Sequence, residues 1–260
     1  MLEDDFTYVF RKALTGHDLT LADAAERAGL RESAVLDFQN GSFSAETARK
    51  LAAVLGLNPE AFARHAAYLP ETLDLQGVER IDLPFGEERV NAWLVRAGDT
   101  IVLFDAGFKT ADLTKEISER CGCLPDRVFI THTHVDHVGA LEYFLAAGIP
   151  VHSADLPGTV HMKPGETVLC GPLAVRSCDL SGHAMPSLGF DVDGLAEPVL
   201  VTGDALFAGS MGGCKSSAAY RHALERLRVV LGPLPDVTVL LPGHGPATTL
   251  GEERVANPFL

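Results

Sequence analysis

The sequence predicts an α/β protein with a small all-α segment ahead of it, and three observations carry that prediction. Up to about residue 67 the chain shows helix patterns and almost no strand alternation. From residue 73 onward, apolar strands alternate with helical segments. Several of those strands run directly into a ligand-type side chain beside glycine.

A first helix is expected over about 5–14. Leu21, Ala24, Ala25 and Ala28 then recur at i, i+3, i+4 and i+7, and Gly29 closes that second helix. A third starts near Arg31 and stops at Asn40-Gly41. A fourth follows the N-cap candidate Ser44 and ends at Gly56, and Asn58-Pro59 opens a fifth. Leu69-Pro70-Glu71-Thr72 reads as the joint, so a five-helix domain is expected over 1–69 and a second domain over 70–260.

In the second domain, 78–83, 90–96 and 100–104 read as strands, separated by turns at Gly86 and Gly98-Asp99. A helix is expected over 109–120 and a strand over 128–130. Further strands over 174–180, 198–201 and 237–241 lead into Ser181-Gly182-His183, Thr202-Gly203-Asp204 and Pro242-Gly243-His244. Strand ends hold side chains rigidly while opening into a cleft, and glycine lets the backbone turn tightly around them.

The densest chemistry follows the strand over 128–130. Thr131-His132-Thr133-His134-Val135-Asp136-His137-Val138-Gly139-Ala140 packs three imidazoles and a carboxylate into six residues, on a loop leading to an amphipathic helix that carries Leu141, Phe144 and Leu145. Neutral imidazole combined with carboxylate suits zinc, iron or manganese.

A net charge of −14 disfavours general affinity for nucleic acid or an anionic membrane, both of which need excess Lys and Arg. The acidic start Met1-Leu2-Glu3-Asp4-Asp5 is unlike a secretory signal, and every apolar run is too short to span a bilayer, so a cytoplasmic protein is expected. Five cysteines, odd in number and without a paired CxxC pattern, predict reduced thiols.

The set THTHVDHVGA, SGHAMPSLGF, VTGDALFAGS and LLPGHGPATTLGEERVANPFL resembles the metallo-β-lactamase-fold hydrolases, in particular the glyoxalase II-like (hydroxyacylglutathione hydrolase-like) branch, which hydrolyses thioesters. The resemblance covers about 73–260 and implies an αββα sandwich binding two divalent metal ions, with zinc expected and iron or manganese as alternatives. It implies that His132, His134 and His183 hold one ion, that Asp136, His137 and His244 hold the other, and that Asp204 bridges them. Asp105, in the Phe-Asp-Ala-Gly turn, would orient a ligand imidazole, and Asp136 would double as the catalytic carboxylate beside a hydroxide held between the ions.

The implied substrate is a small molecule. Lys215 is the candidate for the basic residue with which this branch binds its thiol carrier. The sequence stops soon after its last ligand motif, without the C-terminal helical domain of long glyoxalase II enzymes, which leaves glutathione open as the carrier. The same ligand list contains His132, His183 and Asp204, the two-histidine, one-carboxylate set of a mononuclear-iron persulfide dioxygenase. A lactonase or another hydrolase on the same fold is a further alternative.

The stretch LTLADAAERAGLRESAVLDFQNGSFSAETARKLAAVLGLNPEAF resembles the lambda-repressor-like helix-turn-helix domain. That resemblance implies DNA as a partner and suggests a metabolite-sensing regulator. The charge argues the other way, with seven Lys and Arg against ten Asp and Glu over 1–68 and with Glu32, Leu36 and Asp37 where base readers and phosphate contacts are needed. Packing, partner contact or a homodimer through Leu36 is the expected use of this head.

Overall fold

The computed structural model describes residues 1–260. Five helices open the chain: α1 (Phe6–Gly16), α2 (Leu21–Ala28), α3 (Glu32–Gln39), α4 (Ala45–Leu55) and α5 (Pro59–Arg64). Their starts are written in side chains, since Asp5, Thr20, Ser44 and Asn58 each accept hydrogen bonds from backbone N–H groups of the first turn that would otherwise lack partners. Thr20 and Asp23 form a reciprocal capping box, and Gly29 and Gly56 close α2 and α4 in the left-handed conformation.

The body begins with β1 (Val78–Phe85), β2 (Glu88–Ala97) and β3 (Thr100–Phe104), followed by α6 (Thr110–Cys121) and β4 (Arg127–Phe129). Next come α7 (Val135–Val138), α8 (Leu141–Ala146), β5 (Val151–Ser153) and β6 (Val160–His161). These six strands form one sheet in sequence order, antiparallel through β3 and parallel from there to β6. The second half supplies β7 (Thr167–Cys170), β8 (Leu173–Asp179), β9 (Leu188–Asp193), β10 (Val199–Gly203), α9 (Ser217–Leu231), β11 (Val239–Pro242), β12 (Thr248–Thr249) and α10 (Leu250–Ala256). Its sheet runs β12-β11-β10-β9-β8-β7, with β10 and β11 the parallel pair.

Period-two alternation explains the layering. Val102, Phe104 and Phe129 from the first sheet meet Phe190, Val201 and Leu241 from the second, while their neighbours Leu103 and Val128 face outward onto Leu113 and Ile117 of α6 and Phe144 of α8. Leu200 and Leu240 turn the opposite way, onto α9 and the helical head. The result is a four-layer αββα arrangement with the head in the fourth layer.

Head and body share one core. Phe10, Phe38, Leu51 and Phe62 belong to the same buried cluster as Leu200, Tyr220, Leu240 and Phe259. Tyr220 packs so closely on the end of α1 that a Cβ at Gly16 would collide with its ring. No helix is long and apolar enough to cross a membrane. All five cysteines are free.

Candidate metal centre

Four short connections bring the ligand-type residues together at one edge of the sandwich. His132 and His134 leave the end of β4, and the chain then enters α7, which carries Asp136 and His137. The motif is therefore half helix, where the sequence reading had a continuous loop. His183 lies between β8 and β9, Asp204 immediately after β10, and His244 immediately after β11. Two sets result: His132, His134, His183 and Asp204, and Asp136, His137 and His244, each with its donor atoms within 4.8 Å of one another.

The hydrogen-bond partners show which nitrogen of each imidazole is left for a cation. His183 Nδ1 donates to the Gly213 carbonyl at 2.7 Å and His244 Nδ1 to the Arg89 carbonyl at 2.6 Å. His137 Nδ1 donates to Asp105 Oδ2 at 2.8 Å. Thr131 gives its hydroxyl proton to Asp105, so its oxygen accepts from His132 Nδ1 at 2.9 Å. All four imidazoles thus turn Nε2 into the site, where it binds a cation once it carries no proton.

In the first set, His134 Nδ1 lies 3.1 Å from His132 Nε2 and 3.0 Å from His183 Nε2. Ligands about 2.0–2.1 Å from a tetrahedral ion stand about 3.3 Å apart, so the spacing is close to what one ion requires. Asp204 faces both sets. Its Oδ2 is 3.4 Å from His183 Nε2 and from His244 Nε2, and its Oδ1 is 3.3 Å from His137 Nε2. Asp136 Oδ2 is 3.3 Å from His244 Nε2 and 3.6 Å from His137 Nε2.

Two buried atoms at the centre, His137 Nε2 and Asp204 Oδ1, have no hydrogen-bond partner. Orphaned donors and acceptors are costly in a folded interior, and a cation between them removes that cost, so the residues fit divalent ions. Gly243 permits the crowding, because a Cβ there would collide with Asp204 Oδ1.

Charge regulation follows the same geometry. Burial would raise the Asp204 carboxyl, but His137 and His244 outweigh it and hold it well below the usual carboxylate range. Burial would lower His137 and His244; carboxylates win instead, Asp204 and Asp105 lifting the former to about 10, and Asp136 and Asp204 lifting the latter to about 11. His132 and His183 go the other way, depressed chiefly by burial. Asp136 is held low by His244 and His137 against its own burial.

Asp105 is buried and accepts from Thr131 N–H at 2.8 Å as well as from His137. Lys215 is exposed and does not line the cleft over the donor sets. The cleft receives Lys12 from α1 instead, a contribution that sequence reading missed because nothing local in 1–16 signals a long-range contact with the body.

Residues 85–175 match a family described as the metallo-beta-lactamase superfamily. The chain is 28% identical over 204 residues to a Bacillus subtilis protein named "Probable metallo-hydrolase YqgX", covering 68% of this chain and 95% of that protein. It is 29% identical over 160 residues to the hydroxyacylglutathione hydrolase GloC of Haemophilus influenzae, covering 51% of this chain and 74% of that one. Among solved structures, TTHA1623 in a di-iron-bound form superposes with a TM-score of 0.54 at 29% identity, covering 74% of this chain and 100% of that chain.

Proposed function

The chain belongs to the metallo-beta-lactamase superfamily, whose members are mostly hydrolases, and we propose that it is a metal-dependent hydrolase of thioesters. The observation that carries this reading is the pair of donor sets meeting at Asp204, with two orphaned polar atoms between them. The similarity to a hydroxyacylglutathione hydrolase supports the thioester class.

In this reading His132, His134 and His183 would hold one divalent ion and Asp136, His137 and His244 a second, with Asp204 placed to serve both sets. Zinc fits the donors, and iron fits them too; the similar protein TTHA1623 is known in a di-iron-bound form. Such ions, when bound, supply a water activated near neutral pH and polarisation of the scissile carbonyl.

The chain's own residues do the positioning. The Gly213 and Arg89 carbonyls, Asp105 and Thr131 lock the imidazoles against rotation. Asp136 lines the cleft with Oδ2 facing His137 and His244, and its carboxylate would accept a hydrogen bond from the attacking water and align it. A thiol with a pKa of about 8.5 leaves as the thiolate, so cleavage needs no acid from the protein.

Metal analysis combined with a substrate pair tests this. The expected result is two divalent ions per chain, turnover of an acyl thioester, loss of turnover on chelation, and loss of nearly all activity in Asp204→Ala. One iron per chain, oxygen consumption with a persulfide and untouched thioesters would establish the dioxygenase alternative built on His132, His183 and Asp204.

A further inference from the structure

The cleft over the donor sets, about 540 Å³ in volume, is not walled by the sandwich alone. Glu3, Asp4, Tyr8 and Lys12, from α1 and the segment leading into it, line it together with Asp136 and Asp204. The β1–β2 hairpin adds Phe85 and Glu88. Asp204, 5% exposed and with a partnerless Oδ1, lines the same cleft, which ties the head's side chains to the reacting centre.

Lys12 brings no free charge to this wall. Its Nζ donates to the buried Asp4 carboxylate and to the Met211 carbonyl at 2.8 Å, and Asp4 also accepts from Ser210 Oγ at 2.5 Å. The pair is spent on fastening the head to the loop after β10. Arg11 lies 4.2 Å from the centre of the Tyr8 ring, is tied back to Thr7 and does not line the cleft.

What the wall leaves for a ligand is Tyr8, which is 48% exposed, and two carboxylates that make no ion pair with Lys or Arg. Glu3 lies 3.9 Å from His244 Nδ1, whose proton is already given to Arg89, and Glu88 is exposed at the hairpin end.

We propose that the head is the substrate-selecting wall of the metal cleft: Glu3 and Glu88 favour a leaving group that carries positive charge and disfavour one that carries a carboxylate, with Tyr8 packing against it. This rests on the hydrolytic reading above and narrows its substrate class. One charge contact in a half-wet cleft is worth about a factor of five to ten, and like charge costs as much.

The test uses the metal-loaded full chain and three thioesters with one acyl group and thiols of similar size, each kcat/KM taken relative to that ester's hydroxide-catalysed rate: thiocholine (cationic), 2-methoxyethanethiol (neutral) and 3-mercaptopropionate (anionic). The expected kcat/KM order is cationic, neutral, anionic, with about tenfold or more between the extremes. That ratio should fall towards one in Glu3→Gln/Glu88→Gln and shrink with added salt. Calorimetric titration with the corresponding non-hydrolysable thioethers should give the same order without turnover. An anionic ester cleaved as well as the cationic one, or a ratio unmoved by the double variant, overturns the proposal. If no thioester is cleaved but the thioethers keep their order, the wall stands and the thioester reading falls; if the thioethers bind without order, the wall itself is refuted.

Discussion

Asp105 serves two residues with one carboxylate, and it does so from a backbone that only glycine adopts freely. Its φ of 61° lies in the left-handed region, where a side chain is strained, yet from there it accepts from both Thr131 and His137. Asp105→Ala should leave the fold intact and weaken metal affinity by about 10–100-fold, measured by competition with a chelator. Unchanged affinity would mean that His137 needs no such partner.

A second expectation concerns protons. Without metal, His137 and His244 have folded values of about 10 and 11, above their ordinary 6.5, so their contribution to stability is complete below about pH 6.5 and is lost as pH rises through those values. At pH 8 both imidazoles carry a proton that an incoming cation must displace. Calorimetry in buffers of different ionisation enthalpy should therefore register release of about two protons per chain on metal uptake. Release near zero would contradict that protonation.

The side chains of the donor sets were legible in sequence because histidine and aspartate beside glycine are rare enough to notice. Their partners Gly213 and Arg89 were not, since a backbone carbonyl carries no residue signature and both lie far along the chain from the imidazoles they hold.

Among the elements, the head's helices were readable because their caps are local: Thr20, Ser44 and Asn58 each bond within three residues. The short strands β5, β6 and β7 were not read, because pieces of two to four residues carry too little alternation and take their shape from neighbours in the sheet. The packing of α1 on α9 was equally invisible, although one residue tests it. Gly16→Ala adds a methyl where the Tyr220 ring already stands, and Tyr220 is 2% exposed. A loss of about 1–3 kcal/mol is expected, read as a lower midpoint in thermal unfolding. A rise in stability would show that the ring moves aside without cost.

At the scale of the whole molecule, the division into helical head and sandwich was apparent as a change of pattern near residue 70, but the buried cluster ignores it. Unfolding followed by far-ultraviolet circular dichroism and by fluorescence of Trp93, which is buried between the sheets, should therefore give one coincident transition. Two separated transitions would mean that the head holds itself together.

The shared core also sets an order of events during synthesis. Phe10, Phe38 and Phe62 emerge well before Tyr220, Leu240 and Phe259, which cover them, and Asn58 N–H donates to the carbonyl of Pro258. Loop closure over such separations is slow, so the nascent head must wait with an apolar face uncovered until α9 and α10 arrive. The helix that walls the cleft is made well before the elements that finish its packing.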